Sequence, residues 1–120
     1  MKILVVDDSP VMRKLIGRSI RQAGYKSATV VEAGDGAEAI QVCGAEKPDV
    51  ILADWNMPIM TGIEMLRNLR AQGNNVKVGF VTSESTPEVR AEASTAGASF
   101  FLSKPIDEVE LERAIEGVVG

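Results

Sequence analysis

The stretch that decides the fold is Val-Ile-Leu-Ala-Asp-Trp-Asn-Met-Pro, residues 50–58. Its first four residues form a continuous apolar run of the length expected for a strand buried on both faces, and the run ends on the carboxylate of Asp54. Pro58 then breaks the chain. In an open sheet of parallel strands, ligands bind at the carboxyl ends of the strands, so Asp54 is placed for chemistry. By itself it could equally serve to turn the chain.

Four further apolar runs of strand length alternate with helix-like segments along the chain. They predict strands at residues 3–6, 27–33, 76–81 and 99–102. Strict alternation of strand and helix indicates an α/β fold with a parallel sheet, right-handed crossovers and helices on both faces. We therefore expect five strands and five helices.

Capping residues and glycines mark the ends of the predicted helices. Ser9-Pro10 starts the first helix, Thr61 with Glu64 has the spacing of a capping box, and Thr86-Pro87 starts the fourth helix. Gly24, Gly44 and Gly97 are predicted ends of helices, and the last helix is expected to begin near Asp107. The predicted inner faces are Val11, Met12, Leu15, Ile16, Ser19 and Ile20 in the first helix, and Val109, Leu111, Ala114, Ile115 and Val118 in the last.

The polar residues that interrupt this apolar pattern lie at the carboxyl ends of the strands. Asp7 and Asp8 follow the first strand, Asp54 the third, Thr82 the fourth and Lys104 the fifth. Each has an ordinary explanation as an acidic turn, a capping hydroxyl or a solvated lysine. Because parallel strands place these ends at one edge of the sheet, we expect the five side chains to meet there.

Three carboxylates at one edge repel one another by roughly 4 kcal/mol per pair at an effective dielectric constant near 20, unless a cation or a proton intervenes. The available ligands are oxygens, which favours Mg²⁺ over zinc, and Mn²⁺ could substitute. With the charge neutralised, one carboxylate can attack a phosphoryl group and form an acyl phosphate. Lys104 and Thr82 could then contact the phosphoryl oxygens.

Length and composition limit the function further. The 120 residues fit one domain, which we expect to span residues 1–120, and the net charge of −4 gives no electrostatic footprint for nucleic acid. The chain has no histidine, which excludes histidine ligands and bases, and its one cysteine, Cys43, is expected to be a small core residue in a reducing compartment. Because no run has the length of a signal peptide or a membrane span, we expect a cytoplasmic protein that does not bind membranes. We also expect a monomer.

Taken together, the motifs resemble those of the receiver domain of two-component response regulators. They are Asp7-Asp8, Asp54 with Trp55-Asn56-Met57-Pro58 and Gly62, Thr82, and Lys104-Pro105, and the match covers essentially the whole chain. Residues 55–58, and Glu84 two residues after Thr82, are similar to the single-domain, CheY-like receivers of chemotaxis. Phe101 departs from that pattern, which has tyrosine there. The resemblance implies a doubly wound, flavodoxin-like fold with strand order 2-1-3-4-5.

The resemblance also implies roles for the site residues. Asp54 would accept a phosphoryl group from a CheA-like histidine kinase or from a histidine phosphotransfer domain. Asp8 would ligate Mg²⁺ directly, Asp7 mainly through water and Asn56 through its backbone carbonyl. The side chains of Asn56 and Glu84 would influence the lifetime of the acyl phosphate.

A conformational switch is implied in the same way. Thr82 would move to the new phosphoryl group, and Phe101 would rotate inward to fill the vacated space. This motion would change the affinity of the surface formed by helix 4, strand 5 and helix 5 for a target protein, for instance the flagellar switch in chemotaxis. The Lys104–Pro105 bond would be cis. No conventional enzymatic turnover is expected of such a protein.

Two alternatives remain open. A phosphorelay carrier or phosphate sink would take phosphoryl groups from one histidine and give them to another, with no target that prefers the phosphorylated state. A Mg²⁺-dependent phosphatase of the haloacid-dehalogenase type would also use an aspartate nucleophile. That family needs a second aspartate two residues later as general acid, and here this position is Asn56.

Overall fold

Strands and helices alternate without exception in the computed structural model, which describes residues 1–119. All strand pairs are parallel, and the order across the sheet is β2-β1-β3-β4-β5. The predicted fold class and strand order are therefore confirmed. The strands are β1 (Lys2–Val6), β2 (Thr29–Ala33), β3 (Val50–Ala53), β4 (Lys77–Thr82) and β5 (Phe100–Ser103), and the helices are α1 (Pro10–Gln22), α2 (Gly36–Glu46), α3 (Gly62–Ala71), α4 (Pro87–Ala96) and α5 (Glu108–Val119).

Two apolar cores cover the two faces of the sheet. Leu4 and Ile51 point to the face covered by α2, α3 and α4, whereas Ile3 and Leu52 point to the face covered by α1 and α5. All four side chains are fully buried. Burial on both faces explains why the central strands have continuous apolar runs rather than an alternating pattern. Cys43 lies in the first core, as expected, and its burial raises the pKa of its thiol against the opposing effect of a hydrogen bond from Asn74.

The predicted helix starts are confirmed by their caps. The Ser9 hydroxyl accepts a hydrogen bond from the Met12 N–H at 3.2 Å, and Thr61 and Glu64 form the reciprocal bonds of a capping box. The Thr86 hydroxyl caps α4 in the same manner. No helix within residues 1–119 is long and apolar enough to cross a membrane.

Three residues predicted on inner helix faces are exposed instead. Val11 is 69% exposed, Leu15 49% and Val109 57%. In α1 the buried row is Ile16 and Ile20, and residues 11 and 15 lie one position away from this row, about 100° around the helix axis. The apolar stripe of α1 is thus wider than the face that the sheet covers.

Some predicted bounds are also wrong. Helix α2 continues past Gly44 to Glu46 and ends at Lys47, whose φ of 50° is left-handed. Pro48 explains this end, because the residue before a proline is disfavoured in the helical conformation. Strand β2 begins at Thr29, two residues later than predicted, and β4 and β5 each start and end one residue later than predicted. The Lys104–Pro105 bond is cis, as the resemblance implied.

Ile59, in the loop between β3 and α3, has a left-handed backbone conformation whose cost in stability can be tested. Its φ is 67° and its side chain is 84% exposed, so a β-branched residue occupies a left-handed conformation without burial in return. We expect Ile59→Asn to raise the free energy of unfolding by about 0.5–1 kcal/mol in urea titrations, because asparagine tolerates this conformation. Ile59→Val keeps the β-branch and is the matched control with no gain. Equal stability of the Asn and Val variants would contradict the claim that the backbone at residue 59 is strained by a β-branched side chain.

Candidate functional site

Backbone hydrogen bonds place two acidic residues directly at the edge of the sheet. The Asp7 N–H donates to the Ala33 carbonyl at 3.1 Å, and the Asp54 N–H donates to the Val6 carbonyl at 2.9 Å. Both bonds extend the parallel ladders by one residue beyond the strands. The direction of each carboxylate is therefore set by the pleat of β1 and β3.

The structure brings four of the predicted side chains together at this edge. One carboxylate oxygen each from Asp7, Asp8 and Asp54 lies within 4.8 Å of the other two. The Lys104 Nζ donates to Asp7 Oδ2 at 2.8 Å and to Asp54 Oδ2 at 3.0 Å. A single ammonium group thus bridges two of the three carboxylates.

The members of this cluster differ in their exposure to water. The side chain of Asp7 is 3% exposed, that of Asp54 13% and that of Lys104 17%, whereas Asp8 is exposed. Burial alone would lower the pKa of Lys104, but its bonds to Asp7 and Asp54 outweigh burial and raise that pKa. The lysine therefore stays charged between its two carboxylates.

Asp7 is held by further contacts, one of which the sequence did not suggest. The Ser9 N–H donates to Asp7 Oδ1 at 2.9 Å, and Arg13 Nη1 donates to the Asp7 carbonyl oxygen at 2.7 Å. Arg13 Nε in turn binds Glu32 Oε1 at 2.9 Å. The only feature of the sequence that could have indicated this contact is the basic residue at position 13, in the second turn of α1.

Asp54 is oriented by the loop that follows β3. The Trp55 N–H donates to Asp54 Oδ1 at 2.6 Å, and the Gly62 N–H donates to the Trp55 carbonyl at 3.0 Å. A Cβ atom at position 62 would collide with the Asp54 carbonyl oxygen and lie 2.7 Å from the Phe80 ring. Gly62 is therefore required for the close approach of α3 to Asp54.

The remaining predicted residues surround this cluster on neighbouring elements. Thr82 is 1% exposed at the end of β4, and its hydroxyl accepts a hydrogen bond from the Glu84 N–H at 3.2 Å. The Lys104 N–H donates to the Thr82 carbonyl at 2.9 Å, which ties β5 to β4 at the site. The exposed side chains of Asn56 and Glu84 meet in a 3.1 Å hydrogen bond. The role of the Asn56 carbonyl as a metal ligand stays a prediction.

Phe101 lies outside the carboxylate cluster but is connected to it by aromatic contacts. Its ring centroid is 6.4 Å from that of Phe80, which packs edge-on against Trp55 at 5.1 Å. The ring is half-buried, and the guanidinium of Arg90 in α4 lies 4.7 Å from its centroid. No pattern in the sequence indicated the contact with Arg90.

The charges of the cluster fit a divalent cation. Three carboxylates and one ammonium leave a net charge of −2, and all the ligand atoms are oxygens. The exposed Asp8 leaves the cluster open to solvent, so a cation can enter without unfolding of the site. Asp7, Asp8 and Asp54 are the residues that would hold it.

Replacement of Asp8 tests whether repulsion shapes this cluster. Without metal, Asp8→Asn should raise the free energy of unfolding by about 1 kcal/mol, because the exposed carboxylate is partly screened by water. Added Mg²⁺ should stabilise the wild type and should stabilise this variant much less. The measurement is a thermal melt with EDTA and with Mg²⁺, and Glu110→Gln in α5 is a control that removes an exposed charge elsewhere. If the variant is less stable than the wild type in EDTA, the carboxylates do not repel one another as we infer. If Mg²⁺ stabilises the variant as much as the wild type, Asp8 does not help to hold the ion.

Comparisons with known proteins agree with this geometry. The family model for the response regulator receiver domain matches residues 3–116. The chemotaxis protein CheY of Pseudomonas aeruginosa is 37% identical over 98% of this chain and 95% of its own length. The transcriptional regulatory protein PrrA of Mycobacterium tuberculosis is 34% identical over 98% of this chain, which spans only 49% of that protein. The solved structure of chemotaxis protein CheY4 from Vibrio cholerae superposes with a TM-score of 0.85, with 34% identity over 98% of both chains. The chain belongs to the response regulator receiver domain family.

Proposed function

We propose that the protein is a phosphorylation-activated signalling switch in which Asp54 accepts a phosphoryl group from a histidine of a partner protein. The observation that carries this proposal is the Lys104 ammonium, bonded to Asp54 and Asp7 inside a cluster of three carboxylates. Such a site provides a nucleophile, a cation for the incoming charge and ligands for a metal. Membership of the receiver domain family indicates a histidine kinase as the source of the phosphoryl group, since receiver domains act with histidine kinases.

The chemistry of transfer follows from the position of Asp54. A carboxylate oxygen of Asp54 attacks phosphorus, the P–N bond to the donor histidine breaks, and the leaving imidazole nitrogen keeps the electron pair and takes a proton from solvent. The product is an acyl phosphate on Asp54. Mg²⁺ bound by Asp7, Asp8 and Asp54, with the carbonyl of Asn56, would supply charge neutralisation for this step, and Mn²⁺ would serve in its place.

Lys104 and Thr82 have separate tasks in this proposal. Lys104 Nζ lies 3.0 Å from an oxygen of Asp54 and would bind a phosphoryl oxygen once the aspartate is modified. The hydroxyl of Thr82, buried at the same edge, would donate to a second phosphoryl oxygen. Asn56 and Glu84, hydrogen-bonded to each other near the site, would control the approach of hydrolytic water and so the lifetime of the acyl phosphate.

Phe101 would carry the signal from the site to the surface. Movement of Thr82 toward the phosphoryl group leaves space beside Phe80, and the half-buried ring of Phe101 would move into it. The surface of α4, β5 and α5 would change as a result, and a target protein would bind it with a different affinity. Chemotaxis is the proposed setting, because residues 55–58 and Glu84 are similar to the chemotaxis pattern and two CheY relatives are 37% and 33% identical to this chain. A transcriptional regulator is 34% identical, so control of transcription is the other setting that the relatives offer.

A groove beside Lys104 supports a protein as the phosphoryl donor. It has a volume of about 320 Å³ and runs along α1, where its lining includes Leu15 and Ile16, to Pro105 and Ile106. A helix of the donor that lay against the exposed Leu15 would place a histidine at the same edge as Asp54. In this proposal, the apolar residues of α1 that the sheet leaves uncovered form part of the binding surface for the donor.

The two alternatives make different predictions for this site. A phosphorelay carrier would use the same Asp54 and the same donor groove, but it would return the phosphoryl group to a second histidine. A phosphatase would need a general acid near Asp54, and the residue two positions later is Asn56, whose amide is engaged with Glu84. The geometry supports the phosphatase least.

The proposal is tested with a phosphorylated histidine phosphotransfer domain from a chemotaxis kinase. We expect the label to appear on the wild-type protein when Mg²⁺ is present, to be absent from Asp54→Asn, and to be retained in Asp107→Asn, which is the matched control outside the site. Rapid return of the label to a second histidine domain would favour the relay. Equal labelling of Asp54→Asn and wild type would contradict the assignment of Asp54.

A further inference from the structure

Arg90 in α4 contacts two side chains of β5 at once. Its guanidinium carbon lies 4.7 Å from the centroid of the Phe101 ring, and its Nη2 donates to the Ser103 hydroxyl at 3.0 Å. Alternate residues of a strand point to the same face, so Phe101 and Ser103 lie side by side within the reach of one guanidinium. Arg90 therefore joins α4 to the strand that precedes Lys104.

The contacts of Arg90 are with uncharged partners. No carboxylate within residues 1–119 lies within 4.0 Å of its guanidinium, and the side chain is exposed. By contrast, Arg67 in α3 pairs with Glu92 at 3.0 Å. A cation–π contact at an exposed position shifts an equilibrium by about two- to fivefold, and the hydrogen bond adds to it. Contacts that change an equilibrium by this factor can favour one of two packing arrangements, while the other arrangement stays accessible.

Two routes lead from Arg90 to the phosphoryl acceptor. The first passes from Phe101 to Phe80 and Trp55, whose backbone N–H binds Asp54 Oδ1. The second passes along the chain from Ser103 to Lys104, whose ammonium binds Asp54 Oδ2. Arg90 is the outer contact of both routes.

We propose that Arg90 is a positioning residue of the switch: by stacking on Phe101 and binding Ser103, it holds the ring in its half-buried position in the unphosphorylated protein. This inference rests on the proposed function, in which Phe101 moves inward on phosphorylation. Inward movement takes the ring away from the guanidinium, so Arg90 favours the unphosphorylated state. Its removal should make the inward state easier to reach. Because coupling between sites is reciprocal for binding, the removal should also tighten binding of a phosphoryl group at Asp54.

Beryllofluoride, a phosphoryl analogue that binds reversibly to carboxylates, measures this coupling at equilibrium. We expect Arg90→Gln to tighten beryllofluoride binding in the presence of Mg²⁺ by about fivefold, followed by the fluorescence of Trp55, the only tryptophan. Ser103→Ala, which keeps the ring contact, should shift the affinity in the same direction by less. Arg67→Gln removes an equal charge that does not contact β5 and should leave the affinity unchanged.

Two further measurements separate a positioning role from a general effect of charge or stability. In a Phe101→Leu background, Arg90→Gln should no longer change the affinity, because the ring on which it acts is absent. Labelling of the three phenylalanines with 4-fluorophenylalanine, assigned through single Phe→Leu variants, reports the ring environment without any phosphoryl analogue. The Phe101 resonance of unliganded Arg90→Gln should move toward its position in the beryllofluoride-bound wild type.

The outcomes distinguish this inference from the proposed function. An unchanged Phe101 resonance in Arg90→Gln, or an equal effect of Arg90→Gln with and without the Phe101 ring, would overturn the role of Arg90. A wild-type protein that binds no beryllofluoride with Mg²⁺ would contradict the proposed function instead. In that case the resonance of the unliganded protein still decides whether Arg90 holds the ring.

Discussion

The repulsion among Asp7, Asp8 and Asp54 is the constraint on which the site depends. Within residues 1–119, the fold collects three carboxylates at one edge of the sheet, and the only ammonium within hydrogen-bond distance of them is that of Lys104. The edge is therefore short of positive charge. In the proposed function, a metal ion at this edge would relieve the repulsion and leave Asp54 free to attack a phosphoryl group.

The rest of the structure keeps this unfavourable arrangement in place. Parallel ladders fix the backbone of Asp7 and Asp54, and the Lys104 N–H continues the pairing of β5 with β4 at Thr82. Two apolar cores, one on each face, stabilise the sheet against the electrostatic cost at its edge. Gly62 allows α3 to pack directly behind Asp54. The strands and helices stabilise the fold, and the acidic cluster lies where the strands end.

Local patterns in the sequence predicted the α/β fold class and the composition of the acidic site, whereas the strand order came from the resemblance to receiver domains. Continuous apolar runs identified buried parallel strands, and the carboxyl ends of such strands must share an edge, so Asp7, Asp54 and Lys104 could be placed together. The exposure of Val11 and Val109 could not be predicted in this way, because an apolar stripe does not show how much of itself the sheet will cover.

The contacts of long side chains also could not be predicted from the sequence. Arg13 reaches the Asp7 carbonyl, and Arg90 reaches Phe101 and Ser103, through contacts that depend on rotamers and on the packing of neighbouring elements. Neither contact has a spacing rule. The acidic cluster is therefore set by where the strands end, whereas the contacts of Arg13 and Arg90 depend on individual side chains.

The most direct test of the site is the intact mass of the protein after incubation with acetyl phosphate, which needs no partner protein. Wild type and Asp54→Asn are compared with Mg²⁺ and with EDTA, and folding is verified by circular dichroism. A single phosphoryl adduct that requires Mg²⁺ and is absent from Asp54→Asn is the predicted result. A folded wild-type protein that gains no adduct, or an adduct that persists in Asp54→Asn, would contradict the assignment of Asp54 as the phosphoryl acceptor.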